Sequence, residues 1–232
     1  MEREYIKIKK PSPLPSTIHL LKNLDDEFWK NWVFFHLLSF YKNFDRKILE
    51  EKTNTERAKF SPRIEREIAK FLRLYLKNNR QFDLHFDVFG EITNDEDIEG
   101  NYDILINNTY WKNGFFFECK NLNENQDLIN KYVSYNRGGR VYDGGVYRYF
   151  NGKYAQNQNF GGMIGFILDG DNIIIKNKIH KKLKEKFDIT SQGDLLSIED
   201  SSIEKNEFTF DSIHKRFETT FLIHHILFEL TS

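Results

Sequence analysis

Two stretches in the first third of the chain place apolar residues three or four positions apart, the spacing of an amphipathic helix. The first stretch runs from Ile18 to Glu51, and the second from Ser61 to Asn78. The first is predicted to bury a broad apolar side made of Phe28, Trp29, Trp32, Val33, Phe35 and Leu37. In the second, Ser61 is a suitable N-cap and Pro62 fits the first turn. The prolines of PSPLPS oppose a helix, so residues 1–17 are predicted to form an extended arm.

After residue 80 the pattern changes to a period of two, which is typical of half-buried strands. We predict strands in QFDLHFDVF, YDILI and GFFFECK, the last two joined through the Asn- and Gly-containing INNTYWKNG. A helix in NENQDLINKYVSY, a buried strand in GGMIGFIL, a lysine-rich helix in KNKIHKKLKEKF and final strands near FTFDSI and FLIHHILFEL follow. This order predicts an α/β fold with a central mixed β-sheet flanked by helices.

Composition restricts the class of protein before any motif is considered. Hydrophobic residues make up 39% and aromatic residues 16% of the chain, which is enough to fill a sizeable core and too much for a disordered protein. The single cysteine, Cys119, excludes an intramolecular disulfide and is typical of a reducing compartment. The first residues contain no apolar signal region, and no apolar run approaches the roughly 18 residues that span a bilayer. We therefore predict a cytoplasmic protein with no membrane partner.

A glutamate and a lysine stand at the end of the apolar segment GFFFECK. Charged side chains are costly in such a strand unless they are paired or functional. Residues two apart on a strand share a face, so Glu118 and Lys120 are expected on one face and Cys119 on the other. Asp103 begins the preceding strand and is expected beside Glu118 across the hairpin. The pattern predicts a phosphodiester-cleaving site in which the two carboxylates bind a divalent cation and Lys120 orients or helps to deprotonate the attacking water.

These charges also allow other interpretations. Glu118 and Lys120 could form an ordinary ion pair on an exposed sheet surface. The acid-x-basic patterns at residues 45–47 and 50–52 lack a preceding strand with an aspartate and are interpreted as solvated charge. The acidic segment NDEDIEGNYD begins like a calcium-binding loop, but Ile106 occupies the twelfth position, where a glutamate is required. A calcium loop is therefore rejected.

With Asp103, Glu118 and Lys120 in this arrangement, the chain resembles the PD-(D/E)xK, or restriction-endonuclease-like, nuclease superfamily. Tyr102 stands where many members have proline. The resemblance covers residues 61–170 and implies a restriction-endonuclease-like core in a nuclease domain at 61–232. It does not explain residues 1–60, which are predicted to form an N-terminal arm and a helical extension. It also implies Mg²⁺ or Mn²⁺ as the cofactor, held by Asp103, Glu118 and the backbone carbonyl of Cys119, and DNA as the substrate.

The helix before the sheet carries a further candidate carboxylate. Its sequence IEREIAKFL is similar to the ERxxxxxL pattern of the archaeal Holliday-junction resolvase branch, and this match falls on Glu65. At about 100° per residue, Glu65 lies closer than Glu67 to the centre of the apolar side. We expect Glu65 to hold a second metal ion or an outer-shell water, with Glu67 as the alternative.

Two segments are basic enough to contact nucleic acid. Residues 131–153 contain five basic residues against one acidic residue, interleaved with tyrosines and glycine pairs, and residues 176–186 contain six lysines against one glutamate. In the first segment the predicted contacts are Arg137, Arg140, Tyr142, Arg148 and Lys153. The alternative is a surface loop whose aromatic residues pack beneath it, and the lysine helix is interpreted as a solvated face.

The C-terminal strand pair adds His214 and Arg216 as candidate phosphate contacts. His224 and His225 are neighbours on one strand, so they are expected on opposite faces and at least one is predicted to belong to the core.

Three functions remain open at this point. The first is a DNA endonuclease with a restriction or anti-phage defence role, for which a homodimer is expected if it cuts both strands, because one site cleaves one bond at a time. The second is a structure-specific resolvase or repair nuclease. The third is a catalytically silent module of the nuclease fold that binds nucleic acid or a partner protein. RNA is left open as a substrate, and a protein of a defence system as a partner.

Overall fold

Seven α-helices and one 3-10 helix are present in the residues that the computed structural model describes, which are 15–50, 61–90, 92–94, 97–134, 144–151, 153–187 and 193–230. The α-helices are α1 (Pro15–Lys22), α2 (Asp26–Asn43), α3 (Lys47–Glu50), α4 (Pro62–Asn78), α5 (Arg80–Asp83), α6 (Gln126–Val133) and α7 (Asn172–Phe187). The 3-10 helix covers Gly145–Tyr149. The predictions of α4, α6 and α7 are confirmed. Helix α1 begins at Pro15, inside the arm that was predicted to be extended, and residues 1–14 of that arm lie outside the described residues.

Nine strands form one large sheet and a separate hairpin. They are β1 (Asp87–Phe89), β2 (Ile92–Asn94), β3 (Asp97–Tyr102), β4 (Ile104–Asn108), β5 (Trp111–Leu122), β6 (Phe160–Ile167), β7 (Asp194–Glu199), β8 (Thr209–Arg216) and β9 (Thr219–Glu229). The large sheet has the order β1-β4-β5-β6-β9-β8-β7, and β2 pairs with β3 alone. β6 runs parallel to both β5 and β9, whereas the other pairs are antiparallel. The predicted α/β class with a mixed central sheet is confirmed.

Helices pack on both faces of this sheet, and the central strand β6 is therefore buried along its whole length. On one side, Ile164 and Phe166 belong to the hydrophobic core that contains α2 and α4. On the other side, Met163 and Ile167 belong to the core that contains α6, the 3-10 helix and α7. The alternation follows from the two-residue period of a strand.

Helix α4 forms where its sequence predicts it. The side chain of Ser61 accepts a hydrogen bond from the backbone N–H of Ile64, and Pro62 occupies the first turn, where its missing N–H has no cost. The buried side of the helix consists of Ile64, Ile68, Ala69, Leu72 and Leu76. This packing fixes the position of the first turn of α4 against the sheet.

The prediction for the first helical stretch is wrong in two respects. It is not one helix, since α1 ends at Lys22 and Asp25 caps a new helix by accepting a hydrogen bond from the N–H of Phe28. Its buried side is also different, because Phe28 and Phe35 are exposed. The buried residues are Trp29, Lys30, Val33, Phe34, His36, Leu37 and Phe40. Apolar residues surround α2 on nearly all sides, so their spacing does not identify the side that faces the sheet.

The predicted strand QFDLHFDVF is also mostly wrong. The side chain of Asn79 accepts hydrogen bonds from the N–H groups of Gln81 and Phe82, at 3.1 and 3.2 Å, and starts the short helix α5. Only Asp87–Phe89 pairs with the sheet. A local Asn cap therefore outweighs the alternating pattern. The edge strand β7 is an element that the pattern did not predict.

The predicted boundary near residue 60 does not separate two cores in the described residues. Trp29, Phe34 and Phe40 of α2 lie in the same hydrophobic core as Phe115 and Phe117 of β5. Helix α2 is thus an integral layer of the α/β unit. None of the described helices combines the length and the apolar character needed to cross a membrane.

Candidate active site

The hairpin of β4 and β5 brings Asp103 beside Glu118. Ile104 pairs with Phe117, so the residue before Ile104 lies next to the residue after Phe117. The Oδ2 atom of Asp103 accepts a hydrogen bond of 2.7 Å from the backbone N–H of Cys119. On the other side, Arg73 of α4 donates to the backbone oxygen of Asp103 at 2.8 Å. The predicted placement across the hairpin is therefore present.

Glu118 is a fully buried carboxylate with charged and hydroxyl partners. Its Oε1 atom lies 2.6 Å from the Nζ atom of Lys120 and 3.0 Å from an Nη1 atom of Arg148. Its Oε2 atom accepts hydrogen bonds from the same Nη1 atom at 3.1 Å and from the hydroxyl of Tyr154 at 2.7 Å. Burial alone would raise the pKa of Glu118, but the charges of Lys120 and Arg148 outweigh it and hold the pKa below its usual value.

Lys120 lies at the centre of the site. In addition to its contact with Glu118, its Nζ atom is 3.3 Å from Oε1 of Glu65 and 3.9 Å from Oδ2 of Asp103, and it donates to the backbone oxygen of Cys119 at 2.7 Å. Burial opposes the charged form, but the surrounding carboxylates, Glu118 foremost, raise the pKa of Lys120 above its usual range. The side chain is therefore a fixed ammonium among three carboxylates.

Glu65 is the helix carboxylate that reaches this cluster. Besides its contact with Lys120, its Oε2 atom accepts a hydrogen bond of 3.0 Å from the backbone N–H of Asn121. The Nδ2 atom of Asn121 in turn donates to the backbone oxygen of Ser61, the N-cap of α4, at 3.1 Å. The helix start and the strand end are thus bound to each other, and the geometry favours Glu65 over Glu67 for the predicted position.

The cluster holds more negative than positive charge. Glu65, Asp103 and Glu118 are countered by Lys120 and Arg148. As a result, burial and the neighbouring Glu118 raise the pKa of Asp103 to about 7, although Lys120 and the N–H of Cys119 act in the opposite direction. A carboxyl group with this property at a clustered site is a functional candidate.

The oxygen atoms of the cluster fit a hard divalent cation by their chemistry. Carboxylates and backbone carbonyls are the ligands that Mg²⁺ and Mn²⁺ prefer. In the part of the chain that the structure describes, no three His, Cys, Asp or Glu side chains are arranged as a metal site. The oxygens of Glu65, Asp103, Glu118 and Cys119 converge instead on the Lys120 ammonium, which takes the central position of a cation. Direct coordination therefore requires the lysine to move aside.

Arg148 and Tyr154 are the two residues whose place in this cluster the sequence analysis missed. Arg148 was expected to contact nucleic acid directly, but its guanidinium group contacts Glu118 and donates to the Tyr154 hydroxyl at 2.5 Å. The ring of Tyr154 packs against that of Tyr102 with a centroid distance of 4.4 Å. The sequence signal was the alternation of basic residues and tyrosines in residues 131–153. This pattern indicates a functional segment, but it does not show that Arg148 and Tyr154 bind Glu118.

The remaining predicted nucleic-acid contacts have different outcomes. Arg137, Arg140 and Tyr142 lie outside the described residues. Lys153 is half-buried, and its backbone N–H donates to Asn151 at 3.2 Å. Contact of residues 131–153 with nucleic acid therefore stays a prediction.

The prediction that His214 and Arg216 contact a phosphate is wrong, because neither side chain is placed to do so. His214 is fully buried, and its Nδ1 and Nε2 atoms are bound to the oxygen of Gly193 and the hydroxyl of Ser212 at 2.8 and 2.9 Å. The Arg216 guanidinium donates to the backbone oxygens of Tyr149, Gln156 and Gln158 and lies 4.0 Å from the centroid of the Phe221 ring. Strand alternation alone does not reveal that the outer side of β8 is covered.

His224 and His225 lie on opposite faces of β9, as predicted, and both are buried. His224 binds Oδ1 of Asp211 at 2.9 Å, whereas His225 binds the hydroxyls of Tyr132 and Ser212 at 2.9 and 2.8 Å. They are structural residues of the two cores.

Comparison with known proteins does not assign this cluster to a family. No protein-family model matches the chain, and no curated protein or solved structure shows significant similarity to it. The geometry of the acidic cluster therefore carries the functional argument.

Proposed function

We propose that the protein is a Mg²⁺- or Mn²⁺-dependent nuclease that hydrolyses DNA phosphodiester bonds. One observation carries the proposal: three carboxylates, from α4, from the position just before β4 and from β5, converge on the ammonium group of Lys120, within 3.3, 3.9 and 2.6 Å. An exposed ion pair, the competing explanation, does not account for a fully buried Glu118. An ion pair between Glu118 and Lys120 also does not explain why a third carboxylate, that of Glu65 on α4, contacts the same lysine.

Each residue has a specific task in this proposal. Asp103, Glu118 and the carbonyl of Cys119 would hold the divalent ion, and Glu65 would hold a second ion or an outer-shell water. When bound, the ion supplies Lewis-acid polarisation of the phosphoryl oxygens. Lys120 remains a hydrogen-bond donor beside the carboxylates, where it orients the attacking water and stabilises negative charge. These are the roles expected for a PD-(D/E)xK nuclease.

The biological setting follows from the resemblance and is part of the proposal. A restriction or anti-phage defence role suits an endonuclease of this type, and double-strand cleavage would use a homodimer. A structure-specific resolvase is the neighbouring alternative. The contact of Glu65 with Lys120 supports it, since Glu65 matches the glutamate of the resolvase-like helix pattern.

A second candidate function is a catalytically silent module of the same fold. Lys120 and Arg148 both neutralise Glu118 in the described arrangement, which is also compatible with a purely structural cluster. In that case the protein would bind nucleic acid or a partner protein without cleaving a bond.

The test is a cleavage assay with linear, supercoiled, single-stranded and four-way-junction DNA, and with RNA. Each substrate is incubated with Mg²⁺, with Mn²⁺ and with EDTA. Lys120→Ala and Glu118→Gln should abolish metal-dependent cleavage, whereas Lys178→Ala, which removes a half-exposed partner of Glu124, should cleave as well as the parent. The preferred substrate distinguishes an endonuclease from a resolvase. Tight binding without cleavage of any substrate would favour the silent module.

A further inference from the structure

Arg148 and Tyr154 both bind the Glu118 carboxylate. Both come from the segment around the 3-10 helix, which packs on the core formed by α6 and α7. Tyr154 is fully buried, whereas the Arg148 side chain is 20% exposed beside a Glu118 that has no exposed surface. Arg148 is therefore the member of this pair that solvent and a ligand can reach.

The two oxygens of Glu118 differ in how they are held. Oε2 receives directed hydrogen bonds from Tyr154 and Arg148. Oε1 is held by the charges of Lys120 and Arg148, at 2.6 and 3.0 Å. A divalent ion can therefore bind Oε1 by taking over from these two cations, while Tyr154 keeps the carboxylate oriented through Oε2.

A divalent ion at Oε1 would meet the Arg148 guanidinium close by. Arg148 Nη1 lies 3.0 Å from Oε1, so a cation bound to this oxygen would be within a few ångströms of a like charge. Repulsion at that distance is substantial in a buried site. Lys120, which is 2.6 Å from Oε1, must move aside as described above, and Arg148 must also leave Glu118 or the ion must bind weakly.

We infer that Arg148 is an exchange residue: it pairs with Glu118 in the metal-free protein and moves to a substrate phosphate when a divalent ion binds the Glu118 carboxylate. The inference rests on the proposed nuclease function. A guanidinium group suits this exchange, because its planar fork binds a phosphate with the same geometry as a carboxylate. The partial exposure of Arg148 gives the DNA backbone access to it. The 3-10 helix thereby connects metal binding to substrate binding.

The test measures Mn²⁺ affinity in the absence of DNA. The parent, Arg148→Ala, Arg148→Lys and Glu118→Gln are titrated with Mn²⁺ by calorimetry, after circular dichroism has shown that each is folded. Lys181→Ala is the control, since it removes a positive charge that is 80% exposed on α7. Arg148→Ala should bind Mn²⁺ about tenfold more tightly than the parent, and Lys181→Ala should not change the affinity.

A second measurement tests the other half of the exchange. Binding of linear duplex DNA is measured at several salt concentrations with Ca²⁺ in place of Mg²⁺. Arg148→Ala should bind DNA more weakly, with a salt dependence reduced by about one phosphate contact. Arg148→Lys retains the charge without the fork, so its Mn²⁺ affinity should stay near that of the parent while its DNA affinity falls. If Arg148→Ala does not fold, the lysine variant still carries the test.

The outcomes separate this inference from the proposed function. Mn²⁺ binding that depends on Glu118, together with an unchanged or weaker affinity in Arg148→Ala, would overturn the exchange role and leave the nuclease proposal standing. If Arg148→Ala is unfolded, the exchange role is tested with Arg148→Lys. It would be overturned if this variant bound Mn²⁺ tenfold more tightly than the parent or bound DNA as well as the parent. Absence of Glu118-dependent Mn²⁺ binding in the parent and in the Arg148 variants would overturn both.

Discussion

Glu65 and Lys120 are 55 positions apart in the sequence, yet the Oε1 atom of Glu65 lies 3.3 Å from the Nζ atom of Lys120. This contact joins the first turn of α4 to the end of β5. It converts a hairpin with two carboxylates and a lysine into a site with three carboxylates around one ammonium group.

Replacement of Glu65 should therefore affect the site more than replacement of its neighbour on the same helix. We expect Glu65→Ala to reduce metal-dependent cleavage or Mn²⁺ affinity about 10- to 100-fold, the usual effect of losing a group that supports metal ligands. Glu67→Ala is the matched control and should stay within about twofold of the parent. Equal effects of the two variants would show that Glu65 is not the functional carboxylate of the helix.

Tyr154 should contribute to stability through its bond to a buried charge. Tyr154→Phe removes the hydroxyl that donates to Glu118 Oε2 at 2.7 Å, and we expect a loss of about 2 kcal/mol in the free energy of unfolding. The control is Tyr75→Phe, which removes a half-buried hydroxyl bound to the neutral Ser39 at 2.8 Å and should cost about 1 kcal/mol or less. Urea unfolding of the three proteins provides the comparison. A Tyr154 variant as stable as the parent would show that this bond does not stabilise the fold.

Stability should decrease when the pH falls below about 6.5. Burial lowers the pKa of His214 to about 4 and also lowers that of His225, so both are neutral in the folded protein. The unfolded chain takes up these protons near pH 6.5, which favours unfolding by up to about 1.4 kcal/mol per pH unit for each group. This stability is fully present above pH 6.5 and is lost progressively toward pH 4.

Asp103 acts in the opposite direction, because its pKa is raised to about 7 in the folded protein. A comparison of variants is therefore needed to isolate the histidine contribution. Urea unfolding of the parent and of His214→Gln at pH 7.5 and pH 5.0 should show a smaller loss of stability in the variant. The same loss in both proteins would mean that His214 is not a neutral buried group.

The neighbouring residues Phe34 and Phe35 test the buried side of α2. Phe34 is fully buried against Phe115, whereas Phe35 is 66% exposed. Phe34→Ala should reduce the free energy of unfolding by about 3–5 kcal/mol, and Phe35→Ala by less than about 0.5 kcal/mol. Denaturant titrations of both variants give the answer directly. A larger effect of Phe35→Ala than of Phe34→Ala would show that α2 buries the side predicted from the spacing of its apolar residues.

The sequence by itself determined those elements whose signals are local. The Ser61 cap and Pro62 define the start of α4, and the two-residue period of YDILI and GFFFECK defines the hairpin that brings Asp103 beside Glu118. These features depend on residues that are close in the chain, and the backbone geometry of helices and strands connects them without reference to the rest of the protein.

The tertiary structure alone decided which distant groups meet. It determined the buried side of α2, the burial of His214, the position of Arg148 and Tyr154 on Glu118, and the arrival of Glu65 at Lys120. In each case the outcome depends on which surface packs on the sheet, and packing between distant elements leaves no local period in the sequence. The acidic hairpin could therefore be predicted from the sequence, whereas the full set of charges around its lysine is a product of the fold.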